Sequence, residues 1–265
     1  MGGAGHAGIV WQAAACQTAG LQAADNACMA TLNPDLGPDL DPDTVAVIDF
    51  ETTGMGPSQG ARATEIAVVL VRGGRIVDRY ASLMHSGVWV PPFIEQLTGI
   101  SNRMLDGAPP AAQVMREVAE FSRGCALVAH NASFDRAFWQ AEHAMAGVDS
   151  AVQHAPFGCT LLLSRRLYPE APNHRLGTLA SWHGITPTGR AHRALADAEM
   201  AAGLWLRIVH DVQSRHAASV PFGLLCQLQR VPRQQLQKAV ARYFATAPCV
   251  QRQLSRRRTV ASSCP

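Results

Sequence analysis

Two acidic residues stand at the end of an apolar run early in the sequence. Residues 45–50 read VAVIDF, so Asp49 lies at the end of the run and Glu51 directly after it. Because side chains alternate along a strand, Asp49 and Glu51 share a face with Val45 and Val47, and Phe50 points the other way. Two like charges on one face repel each other unless a cation, a proton or water compensates them. A pair at the end of a buried strand favours a functional role over a solvated strand end.

A third carboxylate, Asp135, falls in the first turn or so of a helix predicted over the sequence ASFDRAFWQAEHAMAG. An acidic residue there also complements the helix dipole, which stabilises a helix by about 0.3–1 kcal/mol. Taken alone, Asp135 therefore fits a structural role.

A fourth carboxylate, Asp197, lies within an apolar helical stripe that includes Leu204 and Ile208. A lone carboxylate in such a stripe is costly unless it is paired or bound to a metal. His192 precedes it by five residues, which on a helix places the two side chains about 140° apart. We therefore expect His192 in the loop or first turn before the helix, where it can lean over the same site.

The four carboxylates come from three separated segments that could converge. A like-charge pair at about 4 Å costs roughly 4 kcal/mol at an effective dielectric constant near 20, and several pairs would rival the roughly 5–15 kcal/mol that stabilises a domain. The carboxylates cannot all stay ionised together without cations. Oxygen ligands favour Mg²⁺ or Mn²⁺ over zinc, and two such ions about 4 Å apart suit phosphoryl chemistry.

The elements that must position these residues form a mixed pattern. Strands are predicted over VAVIDF, over TEIAVVLVRGGRIVDRYASLM as a hairpin turning at Gly73 and Gly74, and over ALVAH. Helices are predicted over PPFIEQLTGIS, PPAAQVMREVAEFSRG, ASFDRAFWQAEHAMAG, RLGTLASWHG and RALADAEMAAGLWLRIVHDV. Strands first, then alternating helix and strand, predict an α/β fold with helices packed on a mixed sheet.

Composition and charge predict three regions. Residues 1–43 are rich in Ala, Gly and Pro and are expected to be poorly ordered; residues 44–210 form the folded domain; residues 211–265 form a basic, partly helical extension with one amphipathic helix near RQQLQKAVARYFA. The net charge is −5 over residues 1–44, 0 over 45–209 and +8 over 210–265. The basic end suits a polyanionic partner, although a solvated tail remains an equal alternative.

The cysteines and the hydropathy pattern bear on the compartment. The seven cysteines form no CxxC pair and are odd in number, which disfavours a disulfide framework or a zinc ribbon. No apolar run approaches the roughly 20 residues of a membrane span, and no Lys or Arg precedes Arg62 as in a secretory signal. These features predict a cytoplasmic protein with no membrane contact.

Three motifs resemble one enzyme family. The sequences VIDFETTGMG, VAHNASFD and HRALADA, in this order, resemble the DnaQ-like 3′–5′ exonucleases of the DEDDh group, such as the proofreading ε subunit of bacterial DNA polymerase III. The interval from His192 to Asp197 is the distinguishing mark of that group. The resemblance covers about residues 44–210 and implies a ribonuclease H-like fold, in which helices flank a five-stranded mixed sheet.

The resemblance also implies roles for individual residues. Asp49, Glu51, Asp135 and Asp197 would hold two Mg²⁺ or Mn²⁺ ions, and His192 would be the general base toward an attacking water. Substrate contacts would come from Thr52, Thr53, Gly54 and Met55 at the terminal nucleotide, from Leu97 and Thr98 near the last bases, and from His130, Asn131 and Phe134 along the strand.

The implied activity is release of nucleoside 5′-monophosphates from the 3′ end of single-stranded nucleic acid, with DNA proofreading or repair as the first expectation. An RNA-trimming exoribonuclease is the alternative within the class, and a non-catalytic nucleic-acid or polymerase-binding module is the alternative outside it. The implied partner is a single-stranded 3′ end, and a DNA polymerase subunit remains open as a second partner.

The sequence departs from the family at Cys159-Thr160, where Asp-Thr or Asp-Ser is common, and at Thr98, where the ε subunit has His. It also shows no convincing clamp-binding peptide near its C-terminus.

Overall fold

One mixed β-sheet forms the centre of the protein, as seen in a computed structural model that describes residues 44–216 and 220–246. The strands are β1 (Thr44–Thr52), β2 (Ala63–Arg72), β3 (Arg75–Leu83), β4 (Ala126–Ala129) and β5 (Phe157–Cys159). They lie in the order β3-β2-β1-β4-β5. β2 is antiparallel to both β1 and β3, whereas β1, β4 and β5 are parallel to one another. The predicted five-stranded mixed sheet is confirmed.

β1 occupies the middle of the sheet because its residues can be buried on both faces. Val45 and Val47 pack into the core on one side, and Ala46, Ile48 and Phe50 pack into the core on the other. A strand covered on both faces shows a continuous apolar run rather than a strict alternation. The two carboxylates at its end therefore emerge at the carboxyl edge of the sheet, near its centre.

β2 and β3 form the hairpin that was predicted at Gly73 and Gly74. Both glycines have positive φ angles, 57° and 78°, which a two-residue hairpin turn requires and which residues with a Cβ atom rarely adopt. The antiparallel register places Glu65 of β2 opposite Glu51 of β1. The hairpin thus brings a fifth acidic residue to the edge where the β1 pair lies.

Helices cover both faces of the sheet. In the described part of the chain the α-helices are α1 (Pro92–Thr98), α2 (Asn102–Asp106), α3 (Ala111–Phe121), α4 (Ala132–Met145), α5 (Ser150–Gln153), α6 (Thr160–Leu167), α7 (Leu176–Trp182), α8 (Ala194–His216), α9 (Phe222–Leu228) and α10 (Leu236–Thr246), with 3₁₀ turns at Pro57–Gln59 and Arg233–Gln235. α3 and α4 pack on one face, and α6 to α10 pack on the other. Within the two described ranges, no helix is both long enough and apolar enough to cross a membrane.

The order of strands and helices brings the predicted site residues to one edge. β1 and β4 are parallel, so both end at the same edge of the sheet. α4 begins at Ala132, directly after β4 ends at Ala129. In sheets of this kind, ligands bind outside the carboxyl ends of the strands. The ends of β1 and β4 and the start of α4 therefore form one candidate site.

The boundary predicted between residues 210 and 211 lies inside α8, which is a correction. The helix continues to His216 because Val212 is buried four residues after Ile208 and extends the same apolar stripe. α9 and α10 then pack into the core cluster that α8 shares with the sheet. α10 supplies the amphipathic helix predicted near residue 240. Residues 1–43 and the end of the predicted extension, from residue 247 on, lie outside the described residues, so their predicted disorder stays a prediction.

Candidate active site

Asp49 and Glu51 lie where β1 leaves the core. Glu51 is buried, with 8% of its surface exposed, and Asp49 is partly exposed. The pairing with β2 shifts register between Glu51 and Thr52, and bulges of this kind re-aim side chains beside active sites. Burial, followed by the negative charges of Asp197 and Glu65, raises the pKa of Glu51 to about 8.

Asp135 reaches the same edge from the first turn of α4, where its side chain is buried. Burial raises the pKa of Asp135 to about 8, although hydrogen bonds from the backbone N–H groups of Asp135 and Phe50 act in the opposite direction. The backbone of Phe50 lies between the two carboxylates of β1, so this effect places Asp135 close to that strand. Asp135 is therefore more than a partner for the dipole of its own helix.

Asp197 lies in the first turn of α8, and His192 lies in the loop before that helix, as the spacing predicted. The backbone N–H of His192 donates to Asp197 Oδ2 at 3.2 Å, which folds the loop back over the start of the helix. His192 has a φ of 60°, a left-handed conformation that costs a residue with a side chain roughly 1–2 kcal/mol. Burial raises the pKa of Asp197, and the hydrogen bond from His192 opposes that shift.

The carboxylates are close enough to influence one another. Burial is the main cause that raises the pKa of Asp49 well above its ordinary value, and Asp135, Asp197 and Glu51 add to it in that order. One carboxylate oxygen each from Glu51 and Asp197 and a ring nitrogen of His192 all lie within 4.8 Å of one another. Clustered carboxylate oxygens suit hard divalent cations. The residues present therefore fit a divalent-metal site.

Glu65 and Arg193 form an ion pair beside this cluster that the sequence interpretation missed. Glu65 accepts hydrogen bonds from Arg193 Nε (3.0 Å), Arg193 Nη2 (2.7 Å) and the backbone N–H of Ala194 (3.0 Å). One buried carboxylate thus holds both the residue after His192 and the first residue of α8. Arg193 also lowers the pKa of Glu51, against the larger effect of burial. A sequence signal existed, because Glu65 is the one charge in β2 before Arg72.

A second missed ion pair supports the loop that follows β1. Arg62 donates from Nε and Nη2 to the two oxygens of Glu142 on α4, each at 2.8 Å. Glu142 Oε1 also accepts from the backbone N–H of Ala63 at 3.0 Å. The backbone of Arg62 in turn bonds Thr53, whose N–H donates to the Arg62 carbonyl oxygen at 2.9 Å. Thr53 is therefore anchored to α4 through Arg62.

The residues predicted to contact the terminal nucleotide split into two buried and two accessible positions. Thr52 and Thr53 are buried, and their hydroxyl groups bond the backbone at Gly54 and Arg62. Gly54 is partly exposed, and Met55 is 79% exposed. The threonine side chains therefore shape the loop, while Gly54 and Met55 remain accessible to a ligand.

Leu97 and Thr98, at the end of α1, also differ in their exposure. Leu97 is 47% exposed, whereas Thr98 is buried. The hydroxyl group of Thr98 donates to the Ile94 carbonyl oxygen at 3.0 Å and accepts from the N–H of Ile100 at 3.0 Å. Arg190, two residues before His192, packs directly over Gly99. Leu97 is accessible, whereas Thr98 serves the local backbone.

His130 has both ring nitrogens engaged. Nε2 lies 3.0 Å from the His174 carbonyl oxygen and Nδ1 lies 2.9 Å from Thr160 Oγ1. Because a carbonyl oxygen only accepts, Nε2 carries the proton and Nδ1 accepts from the hydroxyl group of Thr160. Burial lowers the pKa of His130 to about 4, so the ring is neutral. Cys159-Thr160 is the pair at which the sequence departs from the family. Thr160, the second residue of this pair, forms the hydrogen bond to His130.

Asn131 and Phe134 surround the start of α4. Asn131 is exposed and has a φ of 69°. Within the described residues, Asn131 and His192 are the two non-glycine residues with positive φ, and both flank the carboxylate cluster. Backbone strain of this kind collects at functional sites. Phe134 is half-buried and packs on Phe138, with the ring centroids 5.0 Å apart.

Comparison with protein families and curated proteins gives one consistent result. The exonuclease family model (RNase_T) matches residues 46–205. The 3′–5′ exonuclease DinG of Bacillus subtilis is 34% identical over 185 residues, which is 70% of this chain and 19% of that protein. The PolC-type DNA polymerase III of Bacillus subtilis is 37% identical over 177 residues, which is 66% of this chain and 12% of that protein. The chain thus matches only a small part of these much longer relatives.

Solved structures share the fold. Exonuclease X, in a complex with 5′ overhanging duplex DNA, has a TM-score of 0.51 and 27% identity, covering 66% of this chain and 94% of that chain. Exonuclease I from Methylocaldum szegediense has a TM-score of 0.56 and 22% identity, covering 65% of this chain and 41% of that chain. Residues 46–205, the part that matches the exonuclease family model, include the four carboxylates and His192.

Proposed function

The chain belongs to the exonuclease family, and from that premise we propose that it hydrolyses the 3′-terminal phosphodiester bond of single-stranded nucleic acid, releasing nucleoside 5′-monophosphates. One observation carries the proposal. Asp49, Glu51, Asp135 and Asp197 influence one another's protonation from three separate segments, and His192 stands beside two of them. A purely structural role does not account for four carboxylates at one edge, with Glu51 and Asp135 buried there.

The four carboxylates would hold two divalent cations, Mg²⁺ or Mn²⁺. Their charges raise one another's pKa values, and cations would relieve that repulsion. Arg193 is the cation that lowers the pKa of Glu51, but its guanidinium group is already bound to Glu65. Bound ions would supply charge stabilisation on the phosphate oxygens and activation of the attacking water.

His192 would take the proton of the attacking water. Its side chain is exposed, so a water molecule can reach it, and its backbone is fixed through the N–H bond to Asp197. A general base must lie within hydrogen-bond reach of the proton it removes. The ring nitrogen lies within 4.8 Å of oxygens of Glu51 and Asp197, which supports a base next to the cations.

The terminal nucleotide would lie between the loop after β1 and the end of α1. Met55 and Leu97 are exposed apolar side chains, and contacts with the faces of bases tolerate any sequence. The partly exposed backbone at Gly54 lets a ligand approach closely. Exonuclease X was solved with DNA and the PolC-type relatives are DNA polymerases, which supports DNA as the substrate.

The proposal is tested by digestion of 5′-labelled single-stranded DNA and RNA of one sequence, with Mg²⁺, with Mn²⁺ and with EDTA. We expect stepwise shortening of the DNA in the presence of either ion, nucleoside 5′-monophosphates as products by mass spectrometry, and no cleavage in EDTA. His192→Ala should lower kcat by about 10²–10⁴, the usual contribution of a general base. Faster cleavage of RNA would reverse the substrate assignment, and binding of nucleic acid with no cleavage would leave a non-catalytic binding module.

A further inference from the structure

A cationic cavity lies at the edge of the sheet, between α4, β5 and α9. It has a volume of about 250 Å³, and Arg136, Gln140, His154, Phe157, Phe222 and Arg230 are among the residues that line it. None of the described residues lining it is acidic. Arg136 directly follows Asp135 on α4, so the cavity adjoins the helix turn that carries a carboxylate of the candidate active site.

The two guanidinium groups of the cavity are available to an anion. Within the described residues, neither Arg136 nor Arg230 forms an ion pair with a carboxylate. The guanidinium carbon of Arg136 lies 5.1 Å from the centroid of the Phe157 ring, a cation–π contact that restrains the side chain without using its N–H groups.

The wall that carries Arg230 is fixed to the sheet by its neighbour. Gln229 Oε1 accepts from the Cys159 N–H at 2.7 Å, and Gln229 Nε2 donates to the Phe157 carbonyl oxygen at 3.0 Å. These bonds pair the outer edge of β5 with the end of α9. The Arg136 side chain is therefore held against β5 by the Phe157 ring. The backbone that carries Arg230 is held there by the side chain of the preceding residue, Gln229.

The size and chemistry of the cavity indicate a phosphate group. Typical small-molecule sites have volumes of roughly 300–1,000 Å³, so this cavity suits a small charged group better than a whole nucleotide. The planar fork of arginine matches the oxygens of a phosphate. The aromatic rings of Phe157 and Phe222 line part of the cavity. Arg136 and Arg230 are both exposed, so a phosphate group can reach their guanidinium groups from the solvent.

We propose that this cavity binds a backbone phosphate of the nucleic-acid strand, upstream of the 3′ end that is cleaved. The inference rests on the proposed function for the identity of the ligand. α9 lies outside residues 46–205, the part that matches the exonuclease family. The cavity therefore adds a contact of this chain's own C-terminal part to the family's site, and Arg230 gives part of the excess positive charge after residue 210 a specific role.

The test measures binding of a fluorescein-labelled single-stranded oligothymidylate to the full chain in EDTA, over a range of chloride concentrations. The logarithm of the binding constant falls as the logarithm of the salt concentration rises. Each lost phosphate contact should make this slope less steep by about 0.7. We expect this change in Arg136→Gln and in Arg230→Gln, with weaker binding at low salt. Arg75→Gln makes the same charge change at the distant Gly73–Gly74 turn and should keep the parent's slope.

Binding in EDTA does not require catalysis, so this result and the digestion assay can fail independently. Arg136 and Arg230 are both exposed, and either glutamine variant carries the test by itself if the other does not fold. Unchanged slopes in the cavity variants, or an equal decrease in Arg75→Gln, would overturn the proposal.

The phosphate group in the cavity could come from the strand or from free phosphate. Competition with inorganic phosphate distinguishes these two sources. At constant ionic strength, phosphate should displace the oligonucleotide more readily from the parent than from the Arg136→Gln/Arg230→Gln variant. If the double variant loses phosphate binding but keeps the parent's oligonucleotide slope, the cavity serves free phosphate, and the strand contact is refuted.

Discussion

At the scale of single residues, the site keeps acidic groups where their charge is unfavourable. Burial raises the pKa values of both Glu51 and Asp135 to about 8, and neighbouring carboxylates add to the shifts. A fold that only needed stability would place uncharged residues at these positions. The strained backbone of His192 adds a second local cost next to the same cluster. These costs are understandable if the residues bind cations and act on a substrate.

The buried residue His143 gives a prediction for the pH dependence of stability that does not depend on the candidate active site. His143 is fully buried, its Nδ1–H donates to the Trp139 carbonyl oxygen at 2.8 Å, and burial lowers its pKa to about 4 from 6.5. As the pH falls below 6.5 the unfolded chain takes up this proton first. The contribution of neutral His143 to the free energy of unfolding is therefore fully present above pH 6.5. It decreases by roughly 3 kcal/mol as the pH falls toward 4, for a pKa shift of this size.

Urea unfolding of the parent and of His143→Phe at several pH values measures this effect. Between pH 6.5 and pH 4, the free energy of unfolding of the parent should decrease relative to that of His143→Phe, by up to roughly 3 kcal/mol. The prediction concerns this difference because other groups titrate in both proteins: burial lowers the pKa of His130 and raises those of Glu51 and Asp135, with opposite effects on stability. His154→Gln, at an exposed histidine, is the control and should retain the full slope. Equal slopes in the parent and His143→Phe would refute a neutral, buried His143.

At the scale of elements, the start of α8 is held to the sheet by one carboxylate. Glu65 bonds Arg193 and the backbone of Ala194, and His192 is the residue before that pair. We therefore expect Glu65 to position His192 rather than to bind a metal ion. Glu199, further along α8, forms a comparable ion pair with Arg79 on β3, which provides a matched control on the same helix.

Glu65→Gln should lower kcat by about tenfold to a hundredfold with little change in KM, because misplacing a catalytic group slows the chemical step. The loss of a charged hydrogen-bond partner should also reduce the free energy of unfolding by about 1–3 kcal/mol. Steady-state kinetics and urea unfolding measure the two effects, beside Glu199→Gln. A kcat of Glu65→Gln equal to that of Glu199→Gln would show that the ion pair only stabilises the helix.

The elements also differ in how far the sequence could predict them. Long periodic segments, such as α4 and α8, were predicted because their apolar residues repeat at helical spacing. β5 has three residues, which is too short for any period to show. The burial of Thr98 could not be predicted either, because it depends on hydrogen bonds that form only once α1 turns at Gly99.

At the scale of the whole molecule, the sequence located the candidate site better than the limits of the fold. Carboxylates in an apolar context predicted the cluster, because their burial needs compensation. The partners Glu65 and Arg193 are 128 residues apart, and no local pattern joins them. The C-terminal region was interpreted from its charge, which hid the buried residues of α9 and α10 that complete the core on one face of the sheet.

The central claim is that the carboxylate cluster of this molecule cleaves nucleic acid from the 3′ end. The most direct test is the rate at which the parent, Asp49→Asn and Asp106→Asn shorten a 5′-labelled single-stranded DNA with Mg²⁺. Asp106 is an exposed carboxylate at the end of α2, apart from the cluster.

The parent and Asp106→Asn should produce the same ladder of shortened, 5′-labelled products. Asp49→Asn should be slower by at least about 10²-fold, the loss expected when one electrostatic contributor to the transition state is removed. Shortening by Asp49→Asn at the parent's rate, or release of the 5′ label ahead of the 3′ residues, would contradict the assignment of this site.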